Sequence, residues 1–141
     1  MAARAPNRYS LVADIGGTNT RVALADGERL MPETIRRYRN ADFPGLETVL
    51  RAFIEEEGGV DCAGACAAAA GPVRDGVANL TNLDWTIDEA TLARAAQAET
   101  VAILNDLQAQ GHALGRIGED RIRPVIDGPT ERGHEAKLVI G

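Results

Sequence analysis

The chain has 141 residues, of which 45% are apolar and 26% charged, and its 15 basic and 21 acidic side chains give a net charge of −6. That length fits about one domain, and the mixture is that of a folded globular protein, not of a collagen-like or charge-dominated disordered chain. The acidic balance argues against a nucleic-acid binder or a ligand of anionic membranes, and no apolar run approaches the ~18 residues of a membrane span.

Residues 1–8 read as a flexible N-terminus, and Asp14 interrupts the following apolar stretch too early for a secretory signal. Tyr9 to Asp14 predicts a strand buried on both faces, because its apolar run is nearly continuous. Thr20 to Ala25 predicts a second strand, ended by the hairpin signal Asp26-Gly27. Glu33 to Tyr38, more polar, predicts an edge strand. The period then changes to that of a helix, with Leu46, Val49, Leu50, Phe53 and Ile54 on one face, Pro44 in the first turn and Gly58-Gly59 at the end.

Ala63 to Ala70 predicts a buried strand closed by Pro72, and Gly76 to Thr81 a further one. Thr86-Ile87-Asp88-Glu89 has the spacing of a capping box, with Thr86 as cap of an Ala-rich helix running to about Ala98. Val101 to Asn105 predicts another buried strand, and Leu107, Gln110, Gly111 and Leu114 share one face of a third helix. Arg121 to Ile126 is a weak strand interrupted by Pro124, Asp127 to Glu135 a polar loop, and Lys137 to Ile140 a final strand. Three consecutive strands followed by strands alternating with helices define an α/β fold with an antiparallel region on a parallel sheet.

Two segments carry candidate chemistry. Asp14-Ile15-Gly16-Gly17-Thr18-Asn19 joins two strands through a Gly-Gly turn. Gly16 and Gly17 can take φ > 0 and admit another group close to the backbone, and consecutive N–H groups there can form a concave anion nest. Thr18 and Asn19 add donors, Arg21 is placed to meet phosphate, and Asp14 suits Mg²⁺ held through water. A plain β-hairpin explains the same glycines. A Walker A loop is excluded by the lack of a Lys-Ser/Thr pair, and the dinucleotide fingerprint by the strand that follows.

Asn105-Asp106 ends a buried strand and opens a helix, where open α/β sheets bind ligands. Asn105 can donate to and accept from sugar hydroxyls, and Asp106 within reach of a hydroxyl can act as general base. Equally, Asp106 can serve only to cap the helix. Trp85 reads as a core anchor, Glu55 to Glu57 as a solvated helix end, and His112 and His134 have no spaced partner for a metal site or triad. Cys62 and Cys66, four apart on a strand, fall on one face about 13 Å apart, as two reduced thiols.

The run from Leu11 to Leu24 resembles the first phosphate loop of the bacterial glucokinases, within the actin-like/hexokinase class of sugar kinases. Ala70-Gly71-Pro72-Val73, the block from Leu80 to Trp85, and Ile103-Leu104-Asn105-Asp106 are similar to that family's next blocks, in the same order, and Lys137 to Gly141 to the strand entering its second phosphate loop. Leu107 stands where the family usually has Phe.

The resemblance implies a ribonuclease-H-like (actin-like ATPase) domain over 9–136, with 137–141 as the first strand of a second domain that the chain stops short of. It implies ATP-dependent phosphorylation of glucose to glucose 6-phosphate in the cytoplasm. Ala13, Asp14, Ile15, Gly16, Gly17, Thr18, Asn19 and Arg21 would bind ATP, with Asp14 as the Mg²⁺ residue, Asn105 and Asp106 on glucose, and Asp106 as catalytic base. The partners implied are glucose and the C-terminal half of the enzyme, with a homodimer left open and neither nucleic acid nor membrane expected. The isolated chain is expected to be inactive. The alternatives are a non-catalytic fragment and a sugar-binding regulator or kinase of the ROK type.

Overall fold

The structure, a computed structural model, describes residues 9–80, 83–121, 123 and 139. Its contacts divide the chain into two compact units, Met1–Asp106 and Leu107–Gly141. The expected boundary between residues 136 and 137 lies outside the described residues.

In the first unit, β1 (Tyr9–Ile15), β2 (Asn19–Asp26) and β3 (Arg29–Arg39) form an antiparallel meander. Asp26 pairs with Arg29, so Gly27 and Glu28 alone make the turn, and Gly27 supplies the positive φ of 59° that such a two-residue loop requires. Opposite the stretch Val22 to Leu24 the register of β3 shifts. Pro32, which has no N–H to donate, lies in this irregular stretch of an edge strand, where proline is tolerated. The Thr34 hydroxyl accepts from Leu24 N–H at 2.9 Å and donates to Met31 C=O at 2.7 Å, closing the gap in the ladder.

The helix α1 (Leu46–Glu56) follows, then β4 (Cys62–Ala69), the short strands β5 (Val73–Arg74), β6 (Val77–Asn79) and β7 (Thr86–Asp88), α2 (Glu89–Ala96) and β8 (Thr100–Asn105). The main sheet has the order β3-β2-β1-β4-β8, with β1, β4 and β8 mutually parallel, and β5-β6-β7 form a separate antiparallel sheet. One face of the main sheet carries the core: Leu11 and Ile15 of β1 and Val22 and Leu24 of β2 meet Val49, Leu50 and Phe53 of α1, while Ala65, Ala67 and Ala69 of β4 lie in the same cluster as Leu92 of α2. The alanines of β4 hold helix and sheet close, which explains a core with few aromatic rings.

Several expectations need correction. β1 is not buried on both faces: Leu11, Ala13 and Ile15 are buried, Val12 is half-buried and Asp14 is exposed. The continuous apolar run hides an alternating strand, because Val12 sits on the less covered face. Cys62 and Cys66 do not share a face either. Ala63 is an extra residue in the β1–β4 register, which flips the parity. Cys62 joins the core beside the helices, and Cys66 is half-buried on the opposite side. Both are free thiols. Pro44 lies outside α1, whose cap residue is Gly45, whereas Gly58 and Gly59 end that helix at φ 80° and 78° as expected.

Thr86 does not cap α2. Ile87 is fully buried and pairs with Ala78, which keeps Thr86 to Asp88 extended. Asp88 is the cap, its Oδ1 accepting from Thr91 N–H at 2.7 Å. The helix stops at Ala96, followed by Gln97 at φ 52°.

In the second unit α3 (Asp106–Ala113) continues from the first, with 3₁₀ turns at Leu114–Arg116 and Glu119–Arg121. No residue of α3 is fully buried, so the proposed face of Leu107, Gln110, Gly111 and Leu114 is not a core face, and Leu114 already belongs to the turn. Arg121 is in a turn, not a strand. Arg123 is likewise outside any strand, and the remaining residues of the weak strand, His134 and most of Lys137 to Ile140 lie outside the described residues. No described helix is long and apolar enough to cross a membrane.

Candidate phosphate and hydroxyl sites at the carboxyl end of the sheet

Both candidate segments emerge at the same end of the sheet. Ile15 pairs with Ala69 and Ala69 with Asn105, so the ends of β1, β4 and β8 form one row. Two strand spacings, about 10 Å, separate the backbone of Ile15 from that of Asn105. The chain after β4 ties the row together. Ala70 N–H donates to Ile15 C=O at 3.0 Å, and the Asn105 amide donates to Gly71 C=O at 2.7 Å. This bond fixes the plane of the Asn105 side chain beside half-buried Asp106, the first residue of α3.

The turn after β1 is held from within and from β3. Gly16 N–H donates to Asn19 C=O at 2.9 Å. Asn40, 1% exposed, follows β3. Its backbone N–H donates to Thr18 C=O at 2.9 Å, its side-chain N–H to Gly16 C=O at 2.8 Å, and its Oδ1 accepts from the buried Thr20 hydroxyl at 2.7 Å. One buried asparagine therefore satisfies three polar groups, two through its side-chain amide and one through its backbone N–H, as a buried network requires.

This geometry revises the expected nest. Gly16 does not have a left-handed φ; its smallness matters because a Cβ would stand 3.1 Å from Asn19 C=O. With the Gly16 N–H engaged, the N–H groups left free in the turn are those of exposed Gly17 and Thr18, which have no partner among the described residues.

Asp14 and Arg21 face each other across the β1–β2 pair, with Arg21 Nη2 2.5 Å from Asp14 Oδ2 and side chains 65% (Arg21) and 50% (Asp14) exposed. An ion pair so exposed adds little stability and leaves both groups open to a ligand. Asp14, Gly16, Thr18, Asn19, Arg21 and Arg37 line a cleft of about 410 Å³. Ala13 and Ile15 are buried in the core and frame the turn through the backbone only.

A larger cleft of about 640 Å³ lies near the ends of α1 and α2. Its two arginines, Arg51 and Arg94, are both committed to Glu47, at 2.6 and 3.1 Å, and no candidate residue reaches it. Among the described residues no three His, Cys, Asp or Glu side chains cluster as metal ligands. Trp85 is a core residue as expected, and His112 lies exposed on α3. Asn82 is outside the described residues. Sequence reasoning missed Arg37 and Asn40, which β3 and its end bring to the turn by strand pairing rather than by local spacing, and with them the buried Thr20 hydroxyl that Asn40 accepts from.

A mixed sheet flanked by helices, with its parallel strands ending in a row, is the fold that this chain shares with sugar kinases of the actin-like class. A family model for glucokinase matches residues 11–141, and the chain belongs to that family. A glucokinase of Caulobacter sp. (strain K31) is 34% identical over 132 residues, which cover 92% of this chain and 40% of that protein. The crystal structure of a glucokinase from an Antarctic psychrotroph is similar with a TM-score of 0.76 and 28% identity, over 89% of this chain and 40% of that one. A glucokinase from Balamuthia mandrillaris, solved in complex with glucose, gives a TM-score of 0.53 at 27% identity, over 72% of this chain and 30% of that one. The chain thus spans about 40% of the length of the Caulobacter relative.

Proposed function

We propose that this chain forms the part of an ATP-dependent glucose kinase that holds the phosphate tail of ATP and supplies the base. The observation that supports this most is the row Ile15–Ala69–Asn105, in which the phosphate-type turn and the Asn-Asp pair follow two parallel strands with only β4 between them. A phosphoryl group held at one and a hydroxyl held at the other can approach to the ~3–3.5 Å of a near-attack geometry. The Balamuthia glucokinase solved with glucose supports glucose as the sugar.

In this reading Gly17 and Thr18 N–H groups bind phosphate oxygens, and Arg21 neutralises charge beside them. Asp14 fits a Mg²⁺ site, since one exposed carboxylate is the usual protein share when phosphates and waters supply the other ligands; a bound Mg²⁺ would balance charge on the phosphates. Asn105 orients the sugar through hydrogen bonds. Asp106 accepts the proton of the sugar 6-hydroxyl as its oxygen bonds to the γ-phosphorus, and the bond from that phosphorus to the bridging oxygen breaks to release ADP. The second wall of the cleft comes from the remainder of the protein, so these 141 residues alone bind weakly and turn over almost nothing. Free thiols and ATP as substrate suit the cytoplasm.

The test is Asp106→Asn in the whole protein. A fall in kcat of ~10²–10⁴ with the fold retained supports the base, and activity close to wild type sinks it. Calorimetry of this chain with Mg-ATP and with glucose separates a binding half-site from a fragment that binds neither.

A further inference from the structure

We propose that Arg37 is a second cation of the phosphate site, gripping the polyphosphate tail from β3 across the cleft from Gly17 and Thr18. The proposal rests on the phosphate reading of that turn. Asp14 of β1 pairs with Arg21 of β2, and Arg21 pairs with Arg37 of β3. The three side chains form one row across three strands, and all three line the same cleft beside Gly16, Thr18 and Asn19.

The charges in that row do not balance. The Asp14 carboxylate meets Arg21, and Arg37 is left exposed with no hydrogen bond or ion pair among the described residues. Like charges directly opposite on paired strands destabilise each other, so the row carries a local cost in the free protein. The neighbouring residue shows that the fold does supply counterions on β3: Arg36 is bound by Glu56 at 3.2 Å and Glu57 at 3.0 Å. An anion in the cleft neutralises Arg37 and relieves its repulsion with Arg21. A guanidinium fork matches two oxygens of one phosphate, and a chain of phosphates can span both arginines and the two free N–H groups of the turn.

The experiment is calorimetric titration of this chain with tripolyphosphate and with adenosine. The wild type binds tripolyphosphate in a salt-sensitive way and shows no comparable affinity for adenosine. Arg37→Ala weakens tripolyphosphate about tenfold or more, with an unchanged thermal melt. Arg37→Lys recovers only part, because it restores the charge without the fork. Arg29→Ala, which removes the same charge from the far end of β3 opposite Asp26, leaves binding unaltered. Tripolyphosphate affinity unchanged in Arg37→Ala overturns the role of Arg37 and leaves the phosphate reading standing. A wild type that binds no tripolyphosphate overturns both, and an equal loss in Arg29→Ala reduces the effect to overall charge and overturns the site.

Discussion

The Asn40 side chain donates to the Gly16 carbonyl at 2.8 Å although 24 residues separate the two. The bond joins the end of β3 to the turn that follows β1, and the same amide accepts from Thr20. Replacing Asn40 by Ala strands a buried hydroxyl and a carbonyl at once. The expected cost is about 1–3 kcal/mol, read as a lower urea midpoint. Asn40→Asp keeps the acceptor for Thr20 and turns an oxygen toward Gly16 C=O, so it should do no better. Midpoints equal to wild type would show that the turn holds its shape without Asn40.

Gly71 is the second tight point near the row of strand ends. A Cβ there would lie 2.9 Å from Asn79 C=O, a backbone atom that cannot swing away. Gly71→Ala should therefore destabilise by about 1–3 kcal/mol, the usual range for overpacking. Because Gly71 C=O holds the Asn105 amide, the variant should also shift the Asn105 side-chain NH₂ resonance in an NMR spectrum. An unmoved resonance together with an unchanged melt would refute the close packing.

Asp88 gives the fold a defined acid dependence. The hydrogen bonds from Thr91, backbone first, hold its carboxyl below the usual carboxylate value. A depressed native pKa stabilises the fold above the unfolded value, near ~3.9, and that contribution disappears as pH falls through the lower native value. Asp88→Ala should cost ~0.5–2 kcal/mol at neutral pH. The gap between variant and wild type should close below about pH 4. A gap that persists at low pH would mean that Asp88 acts through packing instead.

The thiols should be slow to react while the chain is folded. Burial, assisted by the neighbouring Asp61 carboxylate, pushes Cys62 up to about 11, and burial raises Cys66 as well. At pH 8 both are thiols, not thiolates, and a disulfide reagent should titrate them fully only after urea is added. Cys66, the less buried, should react first. A native pKa raised in this way favours the fold below the ordinary thiol value of ~8.5 and loses that effect as pH climbs toward the native value. Rapid native labelling of Cys62 would contradict its place in the core.

The parts legible in sequence were those encoded locally. The strand–turn–strand around Gly16, the helix face of Leu46 to Phe53 and the strand before Asn105 each follow from the spacing of a few adjacent residues. What escaped depends on pairing between distant segments. The extra residue Ala63 reverses the faces of Cys62 and Cys66, and the burial of Ile87 moves the α2 cap from Thr86 to Asp88. The register shift near Pro32 decides which arginines of β3 stand opposite β2. A polar residue such as Asn40 gives no sign in sequence that its amide will be buried against a turn two strands away.

The strand that ends at Asn105, just before Asp106, is the last in the sheet and lies at its edge among the described residues. Hairpins β1–β2 and β2–β3 close short loops, whereas among the described strands β8 pairs only with β4, and β4 pairs in turn with β1 across a long connection. Loop closure penalises the later steps, so the β1–β2–β3 meander is expected to form before β8 docks. In that order the proposed phosphate turn would exist before the proposed base is in place. Amide exchange should follow the same gradient, with β8 opening more readily than β1 and β2. On that order, the position of a single edge strand would make the proposed chemistry the final feature to mature.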